Sequence, residues 1–355
     1  MTLGIDNFKN QSIPISSGKT LYVGGTGPGN YTKIQDAIDN ASNGDTVFVY
    51  NGTYYENIYI NKYELNLFGE DKNTTIIDGN GFKSVILIEG NYHPSYTYVT
   101  IRGFTIQNAG ADDLYNSGIT LLSSNNYIRG NIIRNNPKYG ILSWCGEDAR
   151  FNDITKNIIT DNEKGIALYT SYDNNVFQNV ISNNDIGIFI GPHVVPSNRE
   201  TTSFYFESLN IFEYENNIYS NTILYNNKGI EIDSESNTKI FNNTIYGNDF
   251  GIYFWVRYLL TCNENYIYQN NIRTNFIGIS LVSVKGKNEV FGNNFIDNEI
   301  NAIASGFNKW KNNYWDDWIG IRFRFLRFLP YRIKQDTILL NIDWKPAKEP
   351  YDIDV

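Results

Sequence analysis

Short runs in which apolar residues alternate with polar or small ones recur along most of the chain. Ile166–Leu168, Ile188–Ile190 and Ile230–Ile232 are examples. A period of two is typical of short strands with one buried face, because successive side chains of a strand point to opposite faces. Apolar positions three and four residues apart, which a helical repeat needs, are not the rule here. The pattern therefore predicts an all-β chain built from many short strands.

A Gly-Ile pair marks one repeat unit after another. The glycines of these pairs are Gly118, Gly140, Gly165, Gly187, Gly229, Gly251 and Gly278. They follow one another at 22, 25, 22, 42, 22 and 27 residues, so the longer intervals read as 22 plus an inserted loop. A fixed period of this size indicates a solenoid, and three short strands with three bends fill one coil of a parallel β-helix. Leucine-rich repeats are excluded because no helical segment fits between the strands. We expect the seven isoleucines, Ile119 to Ile279, to form one buried column.

Asparagine recurs at two fixed distances before these glycines. Eight residues before the glycine (or before Ala302, which replaces the last one) lie Asn157, Asn179, Asn221, Asn243, Asn270 and Asn294. Three residues before it lie Asn162, Asn184, Asn226, Asn248 and Asn275. Asparagine tolerates the left-handed conformation of tight bends, and side chains repeated once per coil can stack as a hydrogen-bonded ladder. We therefore assign these residues to structure and not to catalysis.

The two ends of the chain do not follow the repeat pattern. Residues 1–43 contain a strand at Leu21–Val23 and a predicted capping helix at Tyr31–Ala41, whose Thr32 and Gln35 have capping-box spacing. A solenoid needs such a lid because its first coil otherwise exposes core and strand edges. We predict the β-helix over 44–305, with an insert at 191–215, and an aromatic-rich C-terminal cap and tail over 306–355, all within one domain. In this cap Trp310 and Trp315 precede the Arg/Phe-rich run 322–329.

The residues from Tyr31 to Ile38, together with Gly44-Asp45, Gly52-Thr53-Tyr54 and Glu56-Asn57, resemble the N-terminal capping region of pectin-lyase-like β-helix proteins. The Asn-x-Ile-x-x-Asn-x-x-Gly-Ile repeats are similar to NosD-type repeats, also called carbohydrate-binding and sugar-hydrolysis repeats. Asn313-Tyr314-Trp315 is similar to the Asn-Tyr-Trp motif that follows the repeats in archaeal surface proteins of that class. The resemblance implies a right-handed parallel β-helix solenoid of roughly ten coils. No catalytic motif of the esterases, hydrolases or lyases of this fold matches residue by residue, and one fold hosts many chemistries.

Composition and charge remove several classes of function. The net charge is −9, and no Lys/Arg cluster lies outside the C-terminal part, which argues against nucleic acid as a partner. No apolar run reaches membrane-spanning length, and no signal peptide is visible in residues 1–20. Cys145 and Cys262 belong to coils too far apart for a disulfide. With His93, His193 and Met1 as the remaining soft ligands, we expect no copper or zinc site and no cofactor.

A candidate site follows from the stacking of coils. The fourth residue after each repeat glycine points outward in one row, which contains Trp144, Tyr169, Asp233 and Trp255, while Glu231 lies two residues before Asp233. The insert 191–215 and a shorter one around Arg257 leave from the same side, where loops on a rigid scaffold often carry function.

This row is open to three interpretations: aromatics covered by the insert, a carbohydrate-binding groove, or a catalytic groove. We predict a secreted or cell-surface β-helix protein with a glycan partner, acting as a carbohydrate-binding or adhesive and structural module. In that interpretation Trp144, Tyr169, Trp255 and Arg257 contact the sugar. The alternative is a polysaccharide hydrolase or lyase that uses Glu231 and Asp233 as its paired carboxylates.

Overall fold

The computed structural model describes residues 18–90, 96–146, 149–192, 215–256, 262–282, 287–318, 330–334 and 341–353. Within these residues the chain winds into a right-handed solenoid of about ten coils, and each regular coil adds one strand to each of three parallel sheets in turn. We call them sheets A, B and C in the order in which the chain visits them. Among the same residues, no helix is long and apolar enough to cross a membrane.

The strands of the three sheets are stacked in chain order, apart from the last pair of sheet A, which is antiparallel. Sheet A contains Thr20–Val23, Thr46–Val49, Asn66–Gly69, Thr100–Arg102, Tyr127–Arg129, Asp153–Thr155, Asn175–Phe177, Asn217–Tyr219, Lys239–Phe241, Tyr266–Tyr268, Glu289–Phe291, Lys309–Lys311, Ile342–Asp343 and Tyr331–Arg332. Sheet B contains Gly52–Tyr55, Thr75–Asp78, Thr105–Gln107, Ile132–Arg134, Ile158–Thr160, Val180–Ser182, Thr222–Leu224, Thr244–Tyr246, Asn271–Arg273, Asn294–Ile296 and Tyr314–Trp315. Sheet C contains Ile58–Ile60, Ile86–Glu89, Ser117–Leu122, Tyr139–Gly146, Lys164–Ser171, Ile186–Gly191, Lys228–Asp233, Phe250–Trp255, Ile277–Leu281 and Ile300–Ala304.

The core runs along the solenoid axis as columns of branched side chains. The seven isoleucines after the repeat glycines are paired coil to coil in sheet C, and all are fully buried, which confirms the predicted column. The glycines themselves are required by close approach. A Cβ on Gly229 would lie 2.6 Å from the backbone oxygen of Gly251, and one on Gly251 would lie 2.6 Å from that of Gly278. A larger residue would therefore push neighbouring coils apart.

Three asparagine ladders hold the bends, one at each corner of the coil. The AB ladder, between sheets A and B, consists of Asn131, Asn157, Asn179, Asn221, Asn243, Asn270, Asn293 and Asn313. In each rung the Nδ2 donates to the Oδ1 of the next coil over 2.9–3.2 Å. The BC ladder runs in the same way through Asn136, Asn162, Asn184, Asn226, Asn248, Asn275 and Asn298.

One predicted rung is wrong, and one ladder is additional to the prediction. Asn293 and not Asn294 continues the AB ladder, and the amide of Asn294 instead binds the backbone of Tyr351 in the C-terminal tail. Ala302 pairs with Ile279, so Asn301 and not Ala302 stands at the glycine position, and counting back eight residues from Ala302 reaches the wrong neighbour. The CA ladder, between sheets C and A, includes Asn126, Asn152, Asn174 and Asn216.

The N-terminal helix spans Ile34–Asn40 and packs Ile34, Ala37 and Ile38 against the start of the solenoid. The predicted capping box is wrong. No side chain of the helix's own N-cap residue forms the cap. Instead the N–H groups of Ile34 and Gln35 donate to the two carboxylate oxygens of Glu56, at 2.8 and 3.0 Å. A carboxylate from the next coil therefore satisfies both orphan donors and complements the positive end of the helix.

At the other end, aromatic rings and carboxylates close the solenoid. Phe295, Trp315 and Tyr331 form a continuous stack with centroid distances of 4.2 and 4.1 Å. The buried carboxylate of Asp343 accepts from both N and Nδ2 of Asn313, so it is the last acceptor of the AB ladder. The Arg/Phe-rich run 322–329 lies outside the described residues.

Candidate functional site

The coils differ in length mainly at one corner. From the strand Tyr127–Arg129 onward, the links from sheet A to sheet B and from sheet B to sheet C are short and nearly constant, whereas the link from sheet C to sheet A varies strongly. We call this last link the CA turn. In the earlier coils the links 79–85 and 108–116, from sheet B to sheet C, are also long. The strand Ile186–Gly191 is followed in sheet A by Asn217–Tyr219, and Phe250–Trp255 is followed by Tyr266–Tyr268. The inserts therefore leave from one edge of the solenoid, although most of the long insert, 193–214, lies outside the described residues.

Sheet C carries the outward row in the register that the repeat indicates. Trp144 pairs with Tyr169, Tyr169 pairs with Gly191, and Asp233 pairs with Trp255. The structure therefore places the predicted site residues in two groups along the same row. Arg257 lies outside the described residues.

Trp144 and Tyr169 form the first group, and both are partly buried in an aromatic cluster on the outside of sheet C. The indole of Trp144 stacks on Tyr115 at 4.3 Å with an interplanar angle of 6°. Tyr169 packs against Phe189 at 4.8 Å and edge-on to Tyr139 at 5.9 Å. These rings pack over a small cluster of apolar side chains on the outer face of sheet C, which they shield from solvent. The cluster consists of Leu142, Ala167, Ile186 and Phe189. One face of Trp144 is thus occupied by protein.

Glu231 and Asp233 point outward but are not exposed, which corrects the expectation of a solvent-facing carboxylate pair. Asp233 is fully buried, and Glu231 is nearly so. Glu231 forms an ion pair with Lys228 at 2.9 Å. The Asp233 side chain packs beside Gly191 of the preceding coil, where a Cβ would meet it at 3.0 Å, and its Oδ1 accepts from the Ser234 hydroxyl. Register decides only the direction of a side chain, and the neighbouring coils and turn decide whether water reaches it.

Trp255 is different, because 45% of its surface is exposed. It ends the strand Phe250–Trp255, in register beside Asp233, at the start of a CA turn. Its backbone oxygen accepts from the thiol of Cys262, which returns on the far side of that turn (3.6 Å). The indole is therefore held on a rigid strand and anchored at its base while its ring faces solvent.

A third carboxyl in this region, Glu235, was missed by sequence reasoning. It follows Asp233 by two residues, within a CA turn, and it is partly exposed. Burial, and secondly the negative charge of Asp233, raise the pKa of Glu235 to about 8. This carboxyl is therefore largely protonated at neutral pH. The turn residues do not follow the repeat period, so the only available signal was a third acid close to the other two.

Cys262 contributes no reactive thiolate to this region. It is buried and free of disulfide, and burial raises the pKa of its thiol to about 12. Since the thiolate is the nucleophile and the metal ligand, this cysteine is inert at neutral pH. Within the part of the chain that the structure describes, no group of three or more His, Cys, Asp or Glu side chains could hold a metal ion.

Comparison with known proteins agrees with this architecture. The model of a right handed beta helix region matches residues 84–256 and 193–314, which together make up more than half of the chain. The chain belongs to the right-handed β-helix family. No protein of curated function has a significantly matching sequence.

Several solved structures share the β-helix at low sequence identity. The complex of XylC with xylose has a TM-score of 0.58 and 12% identity, over 83% of this chain and 75% of that one. The tailspike protein gp49 from Acinetobacter baumannii bacteriophage Fri1, a capsular polysaccharide depolymerase, has a TM-score of 0.56 and 12% identity, over 79% and 54%. The pectate lyase Pel9A has a TM-score of 0.52 and 13% identity, over 84% and 76%. At these identities the likeness establishes the fold alone.

Proposed function

We propose that this β-helix protein binds polysaccharide along the CA turn edge, with Trp255 as the stacking platform. The observation that carries the proposal is the exposed indole of Trp255 on a rigid strand of sheet C. Contiguous exposed apolar surface marks an interaction site, and Trp255 shares its outward row with the partly exposed rings of Trp144 and Tyr169. Sugars present flat C–H faces, so an indole face suits them, and the fixed strand lowers the entropy cost of binding.

Polar groups near Trp255 suit the hydroxyls of a sugar. Glu235 is partly exposed, and its protonated carboxyl can both donate and accept hydrogen bonds. Trp144 and Tyr169, farther along the same row, extend the aromatic surface with their partly exposed edges. Similar solved structures add support: XylC was solved with xylose, and the tailspike acts on capsular polysaccharide. We further propose that the protein acts at the cell surface or outside the cell, where such polymers occur.

The test is a glycan array, followed by titration calorimetry with the polysaccharide that the array identifies. Trp255→Ala should abolish binding while leaving the thermal unfolding midpoint unchanged, because the ring lies outside the core. Trp344→Ala is the matched control, since this tryptophan is 67% exposed in the C-terminal tail and should bind as wild type does. Wild-type affinity in Trp255→Ala, or the same loss in both variants, would reject this platform.

A second candidate function is hydrolysis or lyase-type cleavage of the bound polymer. The observation that favours it is the partly exposed Glu235, whose carboxyl is held protonated at neutral pH by burial and by the charge of the fully buried Asp233. Paired carboxyls with different protonation states are the usual arrangement for acid catalysis on sugars. Glu235 fits this role better than Glu231, because Glu231 is nearly buried and forms an ion pair with Lys228.

Catalysis is tested by following reducing ends and unsaturated products from the polysaccharide that binds. Glu235→Gln should remove product formation and retain binding, whereas Glu264→Gln, an exposed carboxyl in the next CA turn, should retain both. Binding without any product from the wild-type protein leaves a carbohydrate-binding or adhesive module and rejects the enzyme.

A further inference from the structure

A separate cavity lies at the C-terminal end of the solenoid, below the last strand of sheet C. It has a volume of about 540 Å³ and lies between the strand Ile300–Ala304 and the segment 330–334. The two are joined by a parallel bridge between Ile303 and Lys334. This volume is within the range of about 300–1,000 Å³ that small-molecule sites occupy.

One wall of the cavity is polar and held rigidly. The ring of Tyr331 stacks on Trp315 at 4.1 Å, and its hydroxyl donates to Asp317 Oδ2 at 3.0 Å. The same carboxylate accepts from the Nδ2 of Asn301 at 2.9 Å, and Asn301 is itself buried. Burial, and secondly the charge of Asp317, raise the pKa of Tyr331, so the phenol remains a donor. Asp317 is thereby fixed, with acceptor capacity left for a ligand hydroxyl.

Two cations also line the cavity. Arg332 and Lys334 are exposed and flank the buried Ile333 on an extended segment, so strand alternation directs both side chains to the same side. Neither forms an ion pair with another residue that the structure describes. A guanidinium and an ammonium two residues apart suit one carboxylate.

We propose that this cavity binds a small carboxylate-bearing polyol, such as a single acidic sugar unit. Its carboxylate would contact Arg332 and Lys334, and its hydroxyls would donate to Asp317 and to Glu299, which also lines the cavity. The two acids make a multiply charged anion unfavourable, because like charges repel in a partly enclosed site. The site does not involve Trp255.

The test is calorimetric titration of the full chain with D-glucuronate, D-glucose and inorganic phosphate. We expect saturable binding of glucuronate and at least ~10-fold weaker binding of the other two probes. Arg332→Ala combined with Lys334→Ala should weaken glucuronate binding at least ~10-fold, because the counter-charges are lost. Lys311→Ala removes an exposed cation outside the cavity and should bind as wild type does.

Three results would overturn the proposal: no glucuronate binding, equal binding of glucose or phosphate, or full binding by the double variant. The thermal unfolding midpoint of the double variant should match that of the wild type, since both side chains are exposed. Trp255→Ala should leave glucuronate binding intact. Failure of the platform on sheet C and failure of this cavity are thus separate outcomes.

Discussion

At the scale of single residues, burial decides what each acid near Trp255 can do. Glu231 and Asp233 project from the same face of one strand, yet one is paired with Lys228 and the other is fully buried. Glu235, only two residues farther, lies in a turn and keeps partial access to solvent. The three carboxyls therefore differ in charge and accessibility although they are close in sequence.

The raised pKa of Glu235 predicts a pH dependence of stability. Its ordinary value is 4.5 and its folded value is about 8, so the folded state binds this proton more tightly than the unfolded state. The resulting stabilisation is fully present below about pH 4.5 and is lost as pH rises through about 8. The unfolding midpoint of Glu235→Gln should therefore fall less between pH 5 and pH 9 than that of the wild type, as measured by thermal denaturation.

The matched variant for this measurement is Glu264→Gln, an exposed carboxyl in the neighbouring turn. It should keep the slope of the wild type. If Glu235→Gln also keeps that slope, the proton is not held by the folded state and the acid role of Glu235 loses its basis.

At the scale of elements, the asparagine ladders add side-chain hydrogen bonds at the bends to the backbone hydrogen bonds by which the three sheets join successive coils. Asn243 illustrates a full rung. Its Oδ1 accepts from both N and Nδ2 of Asn221, and its Nδ2 donates to the backbone oxygens of Ile218 and Phe241 and to Asn270. Asn243 is fully buried. A donor or acceptor that loses its hydrogen-bond partner here therefore cannot form a hydrogen bond to water instead.

Asn243→Ala should therefore destabilise the protein by about 2–4 kcal/mol, since it leaves several buried donors and acceptors without partners. Chemical denaturation with a constant m-value measures this loss. Asn217→Ala is the control: this residue lies on the outer face of sheet A and donates one hydrogen bond of 3.3 Å to Asn175, so its loss should cost less than about 1 kcal/mol. Equal costs would contradict a structural role for the ladder.

At the scale of the whole molecule, the ladders have a common direction. Every rung of the AB and BC ladders donates its Nδ2 toward the C-terminal end, so that end presents N–H groups that need acceptors. The AB ladder ends on Asp343, and the BC ladder passes through Asn301 to Asp316 and Asp317. The C-terminal cap thus supplies carboxylates where the repeat can no longer supply asparagine.

Asp343→Ala should loosen the last coils, because N and Nδ2 of Asn313 and the indole N–H of Trp315 lose their acceptor. We expect a loss of about 3 kcal/mol and faster amide hydrogen exchange in residues 287–315 than in residues 117–191. Asp352→Ala, at an exposed position of the tail, should exchange as the wild type does. Uniform exchange along the solenoid in Asp343→Ala would show that the cap does not hold the final coils.

The features that the sequence determined by itself are those that repeat once per coil. A period of about 22 residues predicts the column of isoleucines, the glycines that allow coils to approach, and most ladder positions. Equivalent positions in successive coils have the same surroundings, so the same residue type recurs there. Where both residues of the Gly-Ile pair are replaced, by Asn301 and Ala302, the prediction took Ala302 for the glycine position and so missed Asn293 by one residue.

Tertiary structure decided the features that occur once. The helix cap from Glu56, the burial of Asp233 beside Gly191, and the cavity between Asn301 and Arg332 each join parts of the chain that no period relates. The same holds for the raised pKa of Glu235, which depends on what surrounds a turn rather than on the repeat. Backbone alternation predicts where a side chain points, but solvent access and charge depend on neighbours that only the folded coils bring together.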